Sequence, residues 1–496
     1  MSSTRSREPD LASFRNEKER SRPSKRWRPT PSKRLFSNFA ILGVAEILCR
    51  GTSILVTLSL MNRLQPAGYG RIEFAFSIVF WAVLIVRDFV ESIITRELAR
   101  KPQLTKALVN RVLTVKLCLA IPLYLALVLI SLITFNDPRD RWLLCCYGFL
   151  LFTTALGLDF VYRGSEKIGL VAISLIVRTL IYSLGVWLTV GDLSELYWIP
   201  AWLITGEFIG IGVVWVAYAL KFGWPRPRMD GRFVWIMLKR GKSTCLIHLS
   251  QTIVVSADLV VVGILSDWSD VGRYGAPHRM VSAAMAFGFI FQQVVFPSLA
   301  RSSRLSDDAG RRLMNHLVAI LLTAFLPIAV GTSLLSESFV KFLFPSEYGD
   351  CGLLLAIGIW RAPLLCLAFL YQGSLIAMNR ESSGVRFLVS GALAAFPLVT
   401  LFRWEFGLIG ASLATLLIGT GLVAAGYLAH FKEGRNPAWH HHLMVPLIAS
   451  GVMIPVCLAL LPVHLVAAVA GGALTYGITA YFLGGFNFRI DAIAAA

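Results

Sequence analysis

Fourteen apolar runs, each of about twenty residues or more, recur along this chain, and each is long enough to cross a ~30 Å hydrocarbon core as a helix. They lie at roughly 36–60, 72–94, 108–135, 142–161, 168–190, 197–220, 243–266, 276–298, 313–336, 351–378, 384–402, 407–430, 443–461 and 463–484. A transmembrane β-barrel would show short segments of alternating polarity instead. The pattern therefore predicts an all-α polytopic membrane protein. Charged residues make up only 15% of the chain, against about 25% in soluble domains.

The distribution of positive charge tests the count. With the amino terminus inside and alternating spans, the internal segments and their flanking turns carry 34 of the 47 Lys and Arg. The external loops carry 7: Arg63, Arg71, Arg139, Arg141, Arg273, Lys341 and Arg403. A missed span would swap the sides downstream of it, so the bias supports fourteen spans with both termini cytoplasmic. The net charge of +18 is read the same way, and no nucleic-acid partner is expected. The first 34 residues hold eleven Lys or Arg among Ser and Pro and no apolar stretch. They are expected to form a disordered cytoplasmic tail with some attraction to anionic membrane lipids, not a signal peptide.

The two halves repeat weakly. "LSLMNRLQPAGYGR" closes the first span and "VVGILSDWSDVGRYGA" the seventh, and aligning Tyr69 with Tyr274 sets an offset of 205. The basic ends "RELARK" and "PSLARS" follow at a similar offset. The expected division is a tail (1–34), an N-terminal six-helix bundle (35–220), a basic cytoplasmic linker (221–242) and a C-terminal six-helix bundle (243–430). A cytoplasmic loop (431–442) and two extra spans with a short end (443–496) complete it. Parallel repeats of this kind are common in transporters, with the substrate between the halves.

No P-loop, no Ser/His/Asp grouping and no HExxH is present, and the external loops are short, so the chain is not expected to be an enzyme. The eight Cys fall mostly inside apolar runs and form no CxxC, so they read as packing residues. His440, His441 and His442 read as a solvated loop. No cofactor and no metal site is expected.

The assembled motifs resemble the polysaccharide-flippase branch of the multidrug/oligosaccharidyl-lipid/polysaccharide (MOP) exporter superfamily. The residues that carry the likeness are Gly68-Tyr69-Gly70, "RELAR" from Arg96 to Arg100, Asp258, "DVGRYGA" from Asp270 to Ala276, and Pro297. "LFPSEYGDCGLLLAIGIW" from Leu343 and "EFGLIGASLAT" from Glu405 extend it, although Pro345 stands where Gly is more usual. The likeness covers about residues 35 to 430. It implies two pseudo-symmetric, MATE-like six-helix bundles, with the last two spans fitting the fourteen-helix version. It implies a flippase that moves a polyprenyl-pyrophosphate-linked oligosaccharide from the inner to the outer leaflet of the cytoplasmic membrane. Exopolysaccharide, capsule or O-antigen assembly would then follow, with the polymerase and export machinery as further partners. A cation gradient or the membrane potential would drive it.

Ionisable residues inside the spans point to a site. Arg50, Arg178 and Arg361 lie near span midpoints, as do Glu46 and Glu207; Asp258 is a further acid within a span. Arg87 lies toward an inner end and Arg279 toward an outer end, where long side chains reach the interface. A guanidinium is permanently charged and forks onto phosphate oxygens, so Arg50, Arg178 and Arg361 are expected to line a central cavity for the pyrophosphate. Arg87, Arg279 and Gln292 would extend it toward the sugar. Glu46 and Arg50, four apart, either pair within one helix or face the cavity. Glu207 and Asp258 either take up the coupling ion or pair with an arginine. On this reading Arg50→Ala and Arg361→Ala abolish transport at near-normal protein levels. The competing functions are an ion-coupled exporter of drugs or metabolites, favoured by a cavity dominated by acids, and a flippase for the peptidoglycan precursor.

Overall fold

The computed structural model describes residues 32–165, 167–305, 307–378, 380–431 and 439–485. The expected basic tail up to residue 31, most of the 431–442 loop, the side chains of its histidine triplet and the chain beyond 485 lie outside the described residues.

The described chain is helical, with no strand among the described residues. The first half comprises α1 (Ser32–Asp88), α2 (Glu91–Arg100), α3 (Thr105–Thr134), α4 (Pro138–Gly148), α5 (Leu150–Leu156), α6 (Asp159–Gly164), α7 (Ile168–Thr189) and α8 (Trp198–Phe222). The second comprises α9 (Gly231–Leu265), α10 (Trp268–Leu305), α11 (Asp307–Leu334), α12 (Ser336–Leu343), α13 (Gly352–Gly358), α14 (Arg361–Ala377) and α15 (Glu381–Phe431). Then come α16 (Trp439–Leu460) and α17 (Leu465–Phe482).

Among the described residues, eleven helical segments are long and apolar enough to cross a membrane. One of them, α15, holds two spans joined at Phe406 and Gly407, where Gly407 takes φ +64°, a conformation that glycine adopts without steric cost. Likewise α1 is two helices joined at Gln65, φ +57°, with Pro66 opening the second. With both joints counted, the architecture is consistent with the fourteen spans of the sequence pattern. Of residues 221–242, only a stretch between α8 and α9 is non-helical. Asp230 caps α9 by accepting from the Phe233 N–H at 3.1 Å, and so starts that helix well before the seventh apolar run.

Apolar side chains point outward as well as inward. Leu125, Leu129 and Ile133 on α3, Leu184 and Leu188 on α7, and Leu474, Ile478 and Phe482 on α17 are exposed. An apolar belt of this extent is what a bilayer covers.

The halves meet along the second limb of α1, which packs against α9 and α10. At the Tyr69 end, Gly70 and Gly272 lie so close to the backbone of Trp268 and Pro66 that a Cβ on either would clash. At the opposite end, Gly241 is equally close to the Phe89 carbonyl. Inside this seam the Trp81 Nε1–H donates to Ser256 Oγ at 2.9 Å. The two terminal helices stand apart from it and pack on α11, where the Tyr476 hydroxyl donates to the Thr323 carbonyl at 2.6 Å.

A buried lysine fastens the fourth span to the third. Lys116 is fully buried; its Nζ meets Glu91 Oε1 at 2.5 Å and donates to the carbonyls of Gly157 and Thr154 at 3.2 and 3.3 Å. The Phe160 ring centroid lies 5.0 Å away. The helix breaks between α5 and α6, where the Thr154 carbonyl also accepts from the Gly157 N–H at 3.2 Å, so the lysine supplies a donor to backbone groups that lipid cannot satisfy. Lys116→Ala is expected to cost about 3–5 kcal/mol, because Glu91 is left without its cation. Thermal melting in detergent reads the loss, and Lys116→Met combined with Glu91→Gln is expected to recover most of it.

Candidate functional site

Three groups of charges sit within the helices. In the first half, Arg178 on α7 is held by acids from two neighbours. Its Nη2 donates to Asp159 Oδ2 on α6 at 2.7 Å, and its Nη1 to Glu207 Oε2 on α8 at 3.1 Å. Ser174, one turn earlier, accepts from Nε and Nη2 at 3.1 and 2.9 Å and passes its own proton to the Gly210 carbonyl.

In the second half, Arg361 opens α14 and is 2% exposed; Asp258 on α9 is 1% exposed. The Arg361 Nη1 lies 2.5 Å from Asp258 Oδ2. The Tyr274 hydroxyl donates to the same oxygen at 2.6 Å. His278 Nε2 stands 3.6 Å from Asp258 Oδ1 and 3.1 Å from the Val255 carbonyl.

The third group crosses the seam. Near the Tyr69 end, Glu73 accepts from the Tyr69 hydroxyl at 2.5 Å and lies 3.7 Å from Arg279 Nη1 on α10. At the opposite end, Asp88 meets Arg87 Nε at 2.8 Å and His248 Nδ1 on α9 at 3.0 Å. The side chains of Arg279, Arg87 and His248 are 42, 43 and 40% exposed, so this is where the charges remain open to an incoming group. In the loop between α3 and α4, the Asp137 carboxyl is held below the usual range, first by the Arg139 backbone N–H and then by Arg71.

Tyr69 and Tyr274, aligned by the sequence repeat, both donate to a carboxylate. The first acid is on the tyrosine's own helix four residues on, and the second is on the preceding helix. The two tyrosines of the repeat thus hold carboxylates at different places in the two halves.

Several sequence expectations change here. Arg178 and Arg361 do not stand open in a shared cavity; each is neutralised in a separate cluster by acids distant in sequence. Glu207 and Asp258 are spent on those pairs. Glu46 and Arg50 form no ion pair with each other: Glu46 is half-buried, Arg50 is exposed, and neither has an acid or base partner among the described residues. Gln292 donates to the Phe369 carbonyl at 2.7 Å. Glu73 is a further buried acid that the sequence expectations do not include. The signal that could have found it is Tyr69 four residues before it, which shares its helix face. Among the described residues, no group of three or more His, Cys, Asp or Glu is placed to hold a metal ion.

A family described as "Polysaccharide biosynthesis protein" matches residues 60–352, more than half the chain and the whole seam between the halves. The chain belongs to this family. A second, partial match is to the probable low-salt glycan biosynthesis flippase Agl15 of Haloferax volcanii, 24% identical over 178 residues. That alignment covers 35% of this chain, and the chain spans only 38% of the relative's length. In three dimensions this polysaccharide biosynthesis protein resembles a lipid II flippase, MurJ, in an inward closed conformation. The TM-score is 0.71 at 15% identity, covering 91% of this chain and all of that one. It also resembles the Vibrio cholerae MATE transporter VcmN in its bent form, with TM-score 0.55 at 14% identity, covering 84% and 98%. At such identities the likeness is one of fold. The family match agrees with the polysaccharide context that the motifs implied, and the solved structures agree with the fold.

Proposed function

We propose that this chain is a flippase for a polyprenyl-pyrophosphate-linked oligosaccharide, moving it from the inner to the outer leaflet of the cytoplasmic membrane. Family membership supports the polysaccharide context, and Agl15, named as a probable glycan flippase, supports the transport step. The observation that carries the chemistry is Arg50. Of the three mid-span arginines it alone has no acid partner among the described residues. A guanidinium without a counter-ion at membrane depth calls for an anion, and a pyrophosphate offers a geometry that its fork fits.

The remaining steps follow from the seam. The pyrophosphate binds Arg50 in the first bundle, then draws on Arg279 and Arg87, whose exposed guanidinia exchange Glu73 and Asp88 for phosphate oxygens. The two bundles, 35–220 and 243–430, rock about the α1–α9–α10 contact, opening one end as the other closes. Arg178 with Asp159 and Glu207, and Arg361 with Asp258, keep each bundle rigid during that motion. The lipid tail remains in the bilayer and trails between helices. Both termini face the cytoplasm, and the released saccharide passes to polymerase and export machinery.

The test is the fate of lipid-linked repeat units after deletion of the gene. Polymer is expected to disappear while intact repeat units accumulate on the inner leaflet, scored with a membrane-impermeant reagent on spheroplasts. An unchanged pool with increased sensitivity to cationic drugs overturns the reading in favour of an exporter.

A further inference from the structure

We propose that residues 221–242, which join α8 to α9, form a strap that binds anionic phospholipid: its arginines and lysines take lipid phosphates while its tryptophans enter the headgroup layer. The inference is independent of the transported substrate.

Seven of these 22 residues are Lys or Arg, and Asp230 is their one acid. The excess of positive charge follows from the positive-inside pattern; its arrangement does not. The strap is anchored on α3. The Arg226 N–H donates to Asn110 Oδ1 at 2.9 Å, and the Arg228 N–H donates to the Asn110 carbonyl at 3.1 Å. Asp230, besides capping α9, places Oδ2 3.5 Å from Arg111 Nε on α3. The Arg111 guanidinium in turn covers the Phe233 ring at 5.7 Å. The one acid of the strap is thus committed to α3. Arg226, Arg228, Arg232, Lys239 and Lys242 are exposed, and none has an acid partner among the described residues.

The first turns of α9 set these cations on one face. Phe233 and Met237, four apart, are buried in an apolar cluster with Val90, Ile94, Val109 and Val112 of the first half. Gly241, four further on, lies against the Phe89 carbonyl. Arg232, Trp235, Lys239 and Lys242 recur at spacings of three and four on the opposite face, and all four are exposed. The helix is therefore pinned on one side and presents a cationic stripe with an indole inside it on the other.

Large apolar side chains stand out along the same strap: Trp224 is 66% exposed, Met229 73% and Trp235 70%. The apolar run of α8 ends near residue 220 and that of α9 begins near 243, so these side chains lie between the ends of two spans, at the level of the bilayer surface. Indoles beside Lys and Arg at that level suit a layer of headgroups, where the ring is half wet and the cations meet phosphate. A surface of this kind, with four to eight cations next to a span, matches an anionic bilayer in charge and in depth.

Lipid retention by the full chain tests this. The protein is purified in detergent with equimolar phosphatidylglycerol and phosphatidylcholine, and the lipid that stays bound is counted by mass spectrometry. The unmodified chain is expected to favour phosphatidylglycerol about tenfold, and the combined variant Arg226→Gln, Arg228→Gln, Arg232→Gln about threefold or less. Arg96→Gln, Arg100→Gln and Lys101→Gln together remove the same charge from exposed positions away from the strap, and are expected to leave the preference unchanged. Trp235→Ala keeps every charge and is expected to lose about half of the bound phosphatidylglycerol. Equal losses in the two triple variants leave only net charge as the cause and overturn the strap. So does an unchanged preference when its arginines are removed. Farnesyl pyrophosphate displacing phosphatidylglycerol at about a tenth of its concentration, through the same three arginines, assigns the surface to a pyrophosphate and overturns the phospholipid reading. A chain that fails the repeat-unit assay but keeps the lipid preference loses the substrate reading and retains the strap.

Discussion

Arg361→Ala is expected to remove most of the folded protein from the membrane. The substitution leaves the Asp258 carboxylate 1% exposed with only the Tyr274 hydroxyl and a more distant imidazole as partners. Removing one member of a buried ion pair costs about 3–5 kcal/mol, comparable with the whole stability of many domains. Lost packing by the arginine stem adds to this. The check is the monodisperse fraction on size-exclusion chromatography together with thermal melting. Asp258→Asn combined with Arg361→Met is expected to restore both, because neutral groups of similar volume replace a buried pair at little cost. If Arg361→Ala instead gives normal protein that does not transport, the residue handles the substrate, as the sequence alone suggests.

Arg50→Ala is expected to behave in the opposite way, with normal protein levels and little transport. The side chain is exposed and no acid is orphaned by its loss. A charge-assisted hydrogen bond contributes about 1.5–3 kcal/mol, so losing one at the step that carries the headgroup slows transport by roughly 10- to 150-fold. Arg50→Lys retains the charge without the fork, and is expected to recover only part of the rate. Glu46→Gln should change little, since Glu46 does not hold Arg50. Initial rates of flipping in proteoliposomes decide all three. A normal rate for Arg50→Ala would move the headgroup to Arg279 and Arg87.

Much of the fold could be read from hydropathy because a bilayer imposes one length on every span. The turn after the first span was visible as "PAGYG", and the second-half turn as its echo. Partnerships between helices were not visible. Arg178 has no acid three or four residues away in the sequence. Its partners come from α6 and α8, 19 and 29 residues away, through packing that no single-helix rule contains. Arg361 finds Asp258 across 103 residues. Glu73 was hidden by its place beside a turn, where a charge looks solvated. Periodicity tells which residues lie within the membrane, whereas neutralisation depends on which helices become neighbours.

The sequence separations of these pairs have a consequence for how the protein is made. Lys116 follows Glu91 by 25 residues, and Asp159, Arg178 and Glu207 follow one another within 48. These charges of the first half thus gain their partners as the next helix or two leave the ribosome. Asp258 has no such neighbour, since its cation arrives 103 residues later, after roughly 5–20 s of further elongation. During that interval a carboxylate that will end fully buried must be kept by the insertion machinery, by water or by a proton. Nascent chains halted between α9 and α14 therefore carry an acid that will end fully buried but still lacks its arginine.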